Sequence, residues 1–222
     1  MSRPSSSPPL RSGGPSRARA PLEPLVAAPQ KALKEWAVVC RALEQGRQSV
    51  LLRKGGIIEE TRDFALVERR FLLYPTYEHQ DESSVQEPYR AWFKETLEDQ
   101  PPSDVVRISS WAEVTDLFLT HDLDRLLELA PLYAWSEDYI RMRMAYKPRK
   151  PMNVVIVRAS LLSEPVELPV LEHFAGCKSW VPLVEKAVPL DGSAPVLDER
   201  EHARRVEVVA QTLGTSAERV AV

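Results

Sequence analysis

The sequence predicts an α+β protein: a mixed or barrel-like β-sheet with flanking helices, preceded by a disordered N-terminal tail. Three observations carry this expectation. Helical and strand patterns arrive in blocks, helix then strands then helices then strands, and do not alternate as a parallel βαβ sheet requires. The run Val154, Val155, Ile156, Val157 is continuously apolar, as in a strand covered on both faces. The first thirty residues are dominated by serine, proline, glycine and arginine, with too little apolar area to offset the entropy of ordering. The expected organisation is a tail over residues 1–30, an α+β domain over 31–186, and a linker and C-terminal helix over 187–222.

The first element is read as a helix from Ala32, because Leu33, Trp36, Ala37, Cys40 and Leu43 recur at helical spacing and Gly46 stops the pattern. Residues 49–53 have the content of a buried strand, ended by Gly55 and Gly56. A second strand is read over residues 64–74, stopped by Pro75, which has no N–H for a ladder. These two strands are placed to pair as a long hairpin. Residues 88–97 form a short amphipathic helix carrying Tyr89, Trp92 and Phe93, followed by a loop at 99–104. Residues 105–109 alternate as a half-exposed strand. Asp122 then caps a helix bearing Leu123, Leu126, Leu127 and Leu129, closed by Pro131. Ser136 caps another, with Glu137 and Asp138 in the first turn, where the helix dipole favours acids. Strands follow at 153–162 and 166–168, with a late edge strand at 180–183. Residues 198–213 read as a charged helix.

A chain of 222 residues with 44% hydrophobic content is long enough for one substantial core or two small ones. A net charge of -3 argues against a polycation that coats nucleic acid without discrimination, while leaving room for a local basic face. The two cysteines, Cys40 and Cys177, and the lack of a long apolar stretch predict reduced thiols and a soluble, cytoplasmic protein with no membrane partner. The tail's cations, Arg3, Arg11, Arg17 and Arg19, suit either a weak anchor to polyanions or a solvated segment.

The chemistry concentrates in two runs, Leu51-Leu52-Arg53-Lys54-Gly55-Gly56-Ile57 and Arg70-Phe71-Leu72-Leu73-Tyr74-Pro75-Thr76-Tyr77-Glu78-His79-Gln80. Arg53 and Lys54 run into glycines whose amides permit close approach, which suits a phosphate oxygen; a tight turn with solvated cations reads equally well. The spacing is not that of a P-loop. Tyr74, Tyr77, His79 and Gln80 offer ring faces among amide and imidazole groups, suited to a nucleobase, with Arg70 ahead of them to hold phosphate. Ordinary core tyrosines and a loop histidine satisfy the same letters. Arg141 and Arg143, two apart on a helix, point to different faces; with Tyr146, Lys147, Arg149 and Lys150 they form the strongest candidate for contact with a phosphate backbone, or a solvated turn.

Metal ligation is poorly supplied. His121, Asp122 and Asp124, and His173 with Cys177, each fall short of a ligand set, so no metal is assigned, and the letters name no cofactor. A restriction-type nuclease pattern needs an acid two before a lysine on a strand; Leu52 stands there instead, and Glu59 and Glu60 follow Lys54.

The segments Ala32-Leu33-Lys34-Glu35-Trp36, 51–57, 71–80 and Gly176-Cys177-Lys178-Ser179-Trp180-Val181 resemble an uncharacterised bacterial family of a domain of unknown function, over about residues 31–184. That resemblance implies an association with restriction-modification systems and no established activity. A more distant similarity is to the PUA and ASCH-like β-barrels, where a helix, a glycine turn and a strand ending in arginine also open the domain; it implies RNA or modified-base binding. The leading expectation is therefore non-catalytic binding of RNA, DNA or a nucleotide. The alternatives are a metal-dependent nuclease using Lys54, Glu59, Glu60 and Glu68, and a structural adaptor.

Overall fold

The computed structural model describes residues 31–54, 68–174, 179–183 and 187–222. Among them, five helices flank one eight-stranded sheet. The elements run β1 (Lys31–Trp36), α1 (Ala37–Glu44), β2 (Val50–Arg53), β3 (Arg70–Thr76), α2 (Arg90–Glu98), β4 (Val105–Thr120), α3 (Leu123–Glu128), α4 (Glu137–Ala145), β5 (Met152–Pro169), β6 (Trp180–Pro182), β7 (Ala194–Pro195), α5 (Glu199–Leu213) and β8 (Ala217–Val220). The sheet order is β2-β5-β4-β3-β1-β6, with β7 beside β5 and β8 beside β4. β1 and β3 are parallel and every other pair is antiparallel, so the α+β class with a mixed sheet is present, and the sheet is open.

Four local expectations are corrected. The helix read from Ala32 starts at Ala37, and the preceding six residues form β1. Ala32, Leu33 and Glu35 are all buried, which marks a strand covered on both faces, and two adjacent buried positions fit either period in so short a run. β2 does not pair with the second strand as a hairpin; it pairs with β5, Arg53 opposite Asn153, while β3 lies between β4 and β1. Pro75 does not end β3 but sits inside it opposite Glu35. The ladder to β4 extends only to Leu72, so at Pro75 that side of β3 has no partner needing an N–H. The strands expected at 153–162 and 166–168 are one strand: Ile108 faces Val166 and Ser110 faces Leu161, so β5 bulges there and accommodates Pro165.

That bulge also sets the core. Val106 and Ile108 join a smaller apolar cluster with Ala32, Leu72, Tyr74 and Phe174, whereas Ala112 and Val114, beyond the irregularity, join the main core with Leu33, Phe71 and Leu73. On β1 and β3 the two clusters therefore occupy opposite faces, with Leu33 and Glu35 on one parity and Ala32 and Lys34 on the other. The main core is closed by α1 and by α5, whose Val209 and Leu213 are buried. Asp122, Ser136 and Asp198 cap α3, α4 and α5 through bonds from the N–H of Arg125, Tyr139 and Glu201. The tail, Gly55, Gly56 and Cys177 lie outside the described residues.

Candidate functional site: a cationic ridge beside a buried ion pair

β2 delivers Arg53 to the interior. Its NH2 donates to the Lys34 carbonyl and to Glu35 Oε2, each at 2.8 Å, and the Arg53 carbonyl accepts from Asn153 Nδ2 at 2.8 Å. The side chains are 16% and 7% exposed, so this is an interior ion pair and Arg53 is already engaged. Burial pushes the Glu35 carboxyl above its ordinary value, outweighing the opposing pull of Arg53. Trp36, Tyr139 and Trp135 stand in a row, with centroids 5.3 Å apart for the first pair and 6.1 Å for the second.

Lys54 is buried, and its Nζ donates to the Met144 carbonyl in the last turn of α4. A cation there complements the negative end of the helix dipole. Burial and then the like charge of Arg143 push the Lys54 ammonium below its ordinary value. This contact joins segments ninety residues apart and places the end of β2 against the last turn of α4, which the turn at 146–150 connects to β5. Of the α4 arginines, Arg141 is tied to Glu137 Oε1 at 2.6 Å, whereas Arg143 lies with its guanidinium 5.6 Å from the centroid of Tyr146. Lys147 Nζ approaches the same ring at 5.0 Å. Tyr146 is 50% exposed, and Lys147, Arg149 and Lys150 are exposed. Arg143 acts on the buried Glu35 carboxylate through its charge, whereas no described acid pairs with Lys147, Arg149 or Lys150. Lys147 also holds φ of 49°, a left-handed conformation uncommon outside glycine.

The aromatic residues of the second run go elsewhere. Tyr74 is buried on the opposite sheet face from Glu35, edge-on to Phe174 at 6.2 Å and beneath Lys34 Nζ at 5.5 Å. Tyr77 stands between two hollows of about 200 and 230 Å³, which share Pro75, Tyr77 and Pro101. Lys34 lines one and Arg41 and Arg107 line the other. His79 is exposed with φ of 57°; neither it nor Gln80, whose amide atoms are buried without a partner, lines these hollows. Arg70 begins β3, roughly 20 Å along the strand from Tyr77, and bonds Glu113 Oε1 at 3.4 Å. The structure thus gathers Lys54 and Arg143, with Arg53 beneath, at one place, and Tyr74 with Tyr77 at another.

Lys34, Glu35, Arg41 and Arg107 were not singled out by sequence reasoning. Two adjacent charges within the apolar run 32–39 were the available signal, since charged residues inside a buried strand need partners. Of the carboxylates in the nuclease alternative, Glu68 pairs with Lys31 at 3.6 Å and Glu59 and Glu60 lie outside the described residues. Among the described residues no three His, Cys, Asp or Glu gather as a metal-binding group, and no helix is long and apolar enough to cross a membrane.

Fold and site together define an α+β protein on an open mixed sheet, with a cationic ridge between the end of α4 and the start of β5. The chain belongs to the family described as domain of unknown function DUF1802, whose model matches residues 32–208. A search of curated proteins finds no match. Among solved structures, ASCH from Zymomonas mobilis is similar at 12% identity and a TM-score of 0.37, covering 80% of this chain and 94% of that one. Two mutant forms of the same protein give 13% and 0.36, and 11% and 0.39, with 80% of this chain and 94% and 96% of theirs covered. At those values the likeness bears on neither the site nor its chemistry.

Proposed function

We propose that this protein binds nucleic acid without catalysis, through the ridge formed by Arg143, Tyr146, Lys147, Arg149 and Lys150. One observation carries the reading: three exposed cations within four residues, Lys147, Arg149 and Lys150, have no acidic partner among the described residues, in a protein whose net charge is -3. Unbalanced local charge of this kind attracts a phosphate backbone, and each phosphate neutralised releases counterions. Tyr146, half exposed and flanked by two of the cations, offers a ring face on which a base can stack. Lys54 supports the ridge from beneath by holding the end of α4, and Arg53 serves the interior through Glu35.

The test is fluorescence anisotropy with single-stranded and duplex RNA and DNA across a salt series. Replacing Lys147, Arg149 and Lys150 together by alanine is expected to weaken binding about 10- to 100-fold at low salt and to flatten the log–log salt slope by about 2 to 3. Wild-type protein that binds no oligonucleotide at low salt overturns the proposal, as does an unchanged slope in the triple variant.

A further inference from the structure

A cleft of about 300 Å³, lined by no residue of this ridge, opens between α5 and the turn that closes α3. Leu129, Leu132 and Val208 give it an apolar wall, and Arg47, Arg204 and Arg205 contribute three guanidinium groups. The acids nearby do not balance them. Glu128 is taken by Arg125, whose NH1 lies 2.9 Å from its Oε2. Glu201 alone serves both Arg204 and Arg205, at 2.8 and 2.9 Å. Arg47 is exposed, and its guanidinium has no partner among the described residues.

Arg205 is the central group. Its side chain is only 12% exposed. Its Nε donates to Glu201 and its Nη2 to the Gly46 carbonyl at 2.7 Å, while its Nη1 is buried and has no acceptor among the described residues. A guanidinium is a rigid fork of five N–H donors, well matched to the paired oxygens of a carboxylate or phosphate. A buried charged donor left without an acceptor costs free energy, and Arg205 is part of the cleft's lining. The apolar wall beside it adds a surface for a hydrophobic body, the combination that small-molecule sites share.

We infer that this cleft binds a small organic anion: an oxyanion head group held by Arg205 and Arg47, with a compact apolar portion against Leu129, Leu132 and Val208. The site is independent of the nucleic-acid reading, because its cations belong to α5 and the turn after α1 and not to the 146–150 turn.

Methyl NMR of the full chain, titrated separately with inorganic phosphate, benzoate and neutral benzamide, tests this. Benzoate is expected to shift the Leu129, Leu132 and Val208 methyl resonances along a saturable curve, phosphate to compete with it, and benzamide to leave them in place. Arg47→Gln, at an exposed position without a side-chain bond to lose, should raise the benzoate Kd about 5- to 10-fold, toward the loss of one charge-assisted contact; Arg143→Ala on the ridge should leave it unchanged. Absence of saturable shifts with benzoate, equal shifts with benzamide, or an unaltered Kd in Arg47→Gln each overturns the assignment.

Discussion

Around the Tyr77 groove each cation is matched locally: Arg41 to Glu95 at 2.6 Å, Arg107 to Glu167 at 3.1 Å, and Lys34 Nζ to the Phe174 carbonyl. Along the 146–150 turn the cations face solvent without an acid. Both regions hold tyrosines and positive charge, yet they differ in what remains for a ligand. In the groove the charges are already matched, and the ring of Tyr74 is covered by Phe174. On the ridge the charges are unbalanced and the ring of Tyr146 is open. Composition alone makes the two look alike; the state of each partner separates them.

The largest expected effect lies beneath the ridge. Arg53→Ala removes the counter-ion of a carboxylate that is 7% exposed, and breaking an interior pair in this way costs about 3 to 5 kcal/mol. Replacing Arg53 and Glu35 together by methionine should restore most of that stability, as read by urea denaturation. Oligonucleotide binding by the folded Arg53→Ala fraction should keep its salt slope; a slope reduced by about 1 would place Arg53 on phosphate instead. The pH dependence follows from the raised Glu35 carboxyl. The folded chain keeps that proton to higher pH than the unfolded chain, whose ordinary value is 4.5. Stability therefore falls as pH rises from about that value through the raised one, and Glu35→Gln should abolish the decline.

How legible this was depends on which interactions are local. The caps at Asp122, Ser136 and Asp198 were readable because a cap and its partner lie three residues apart. The ridge was readable for the same reason, since its cations lie within eight residues of one another in the chain. The joining of Arg53 and Lys54 to one region and Tyr77 to another was not. It depends on β1 inserting beside β3 in parallel, with Glu35 and Lys34 sent to opposite faces, and on β2 pairing with a strand a hundred residues away. Helical spacing in residues 32–43 concealed β1, because its pairing partners are remote and Lys34 and Glu35 are poor strand formers outside the context that pairs them.

A smaller effect sharpens the contrast from the groove side. Tyr77→Ala removes the ring that divides the two hollows, and oligonucleotide affinity is expected to change less than about twofold, against the 1 to 3 kcal/mol seen when a stacked ring is lost. A tenfold loss in anisotropy titrations would join the groove to the nucleic-acid surface and remove the distinction drawn between the two regions.

The smallest effect separates charge from backbone within the ridge itself. Lys147 occupies a left-handed conformation that glycine adopts without steric cost, while glycine loses more freedom on folding, so Lys147→Gly should shift stability by no more than about 1 kcal/mol. The same substitution removes one exposed cation and its contact with Tyr146, so the salt slope of binding should flatten by about 1. Lys147→Gln removes the charge and keeps the backbone demand. Equal flattening in the two variants assigns the effect to charge. Flattening in glycine alone would show that the turn's conformation presents Arg149 and Lys150, because a relaxed 147 would then let the neighbouring cations drift from the strand.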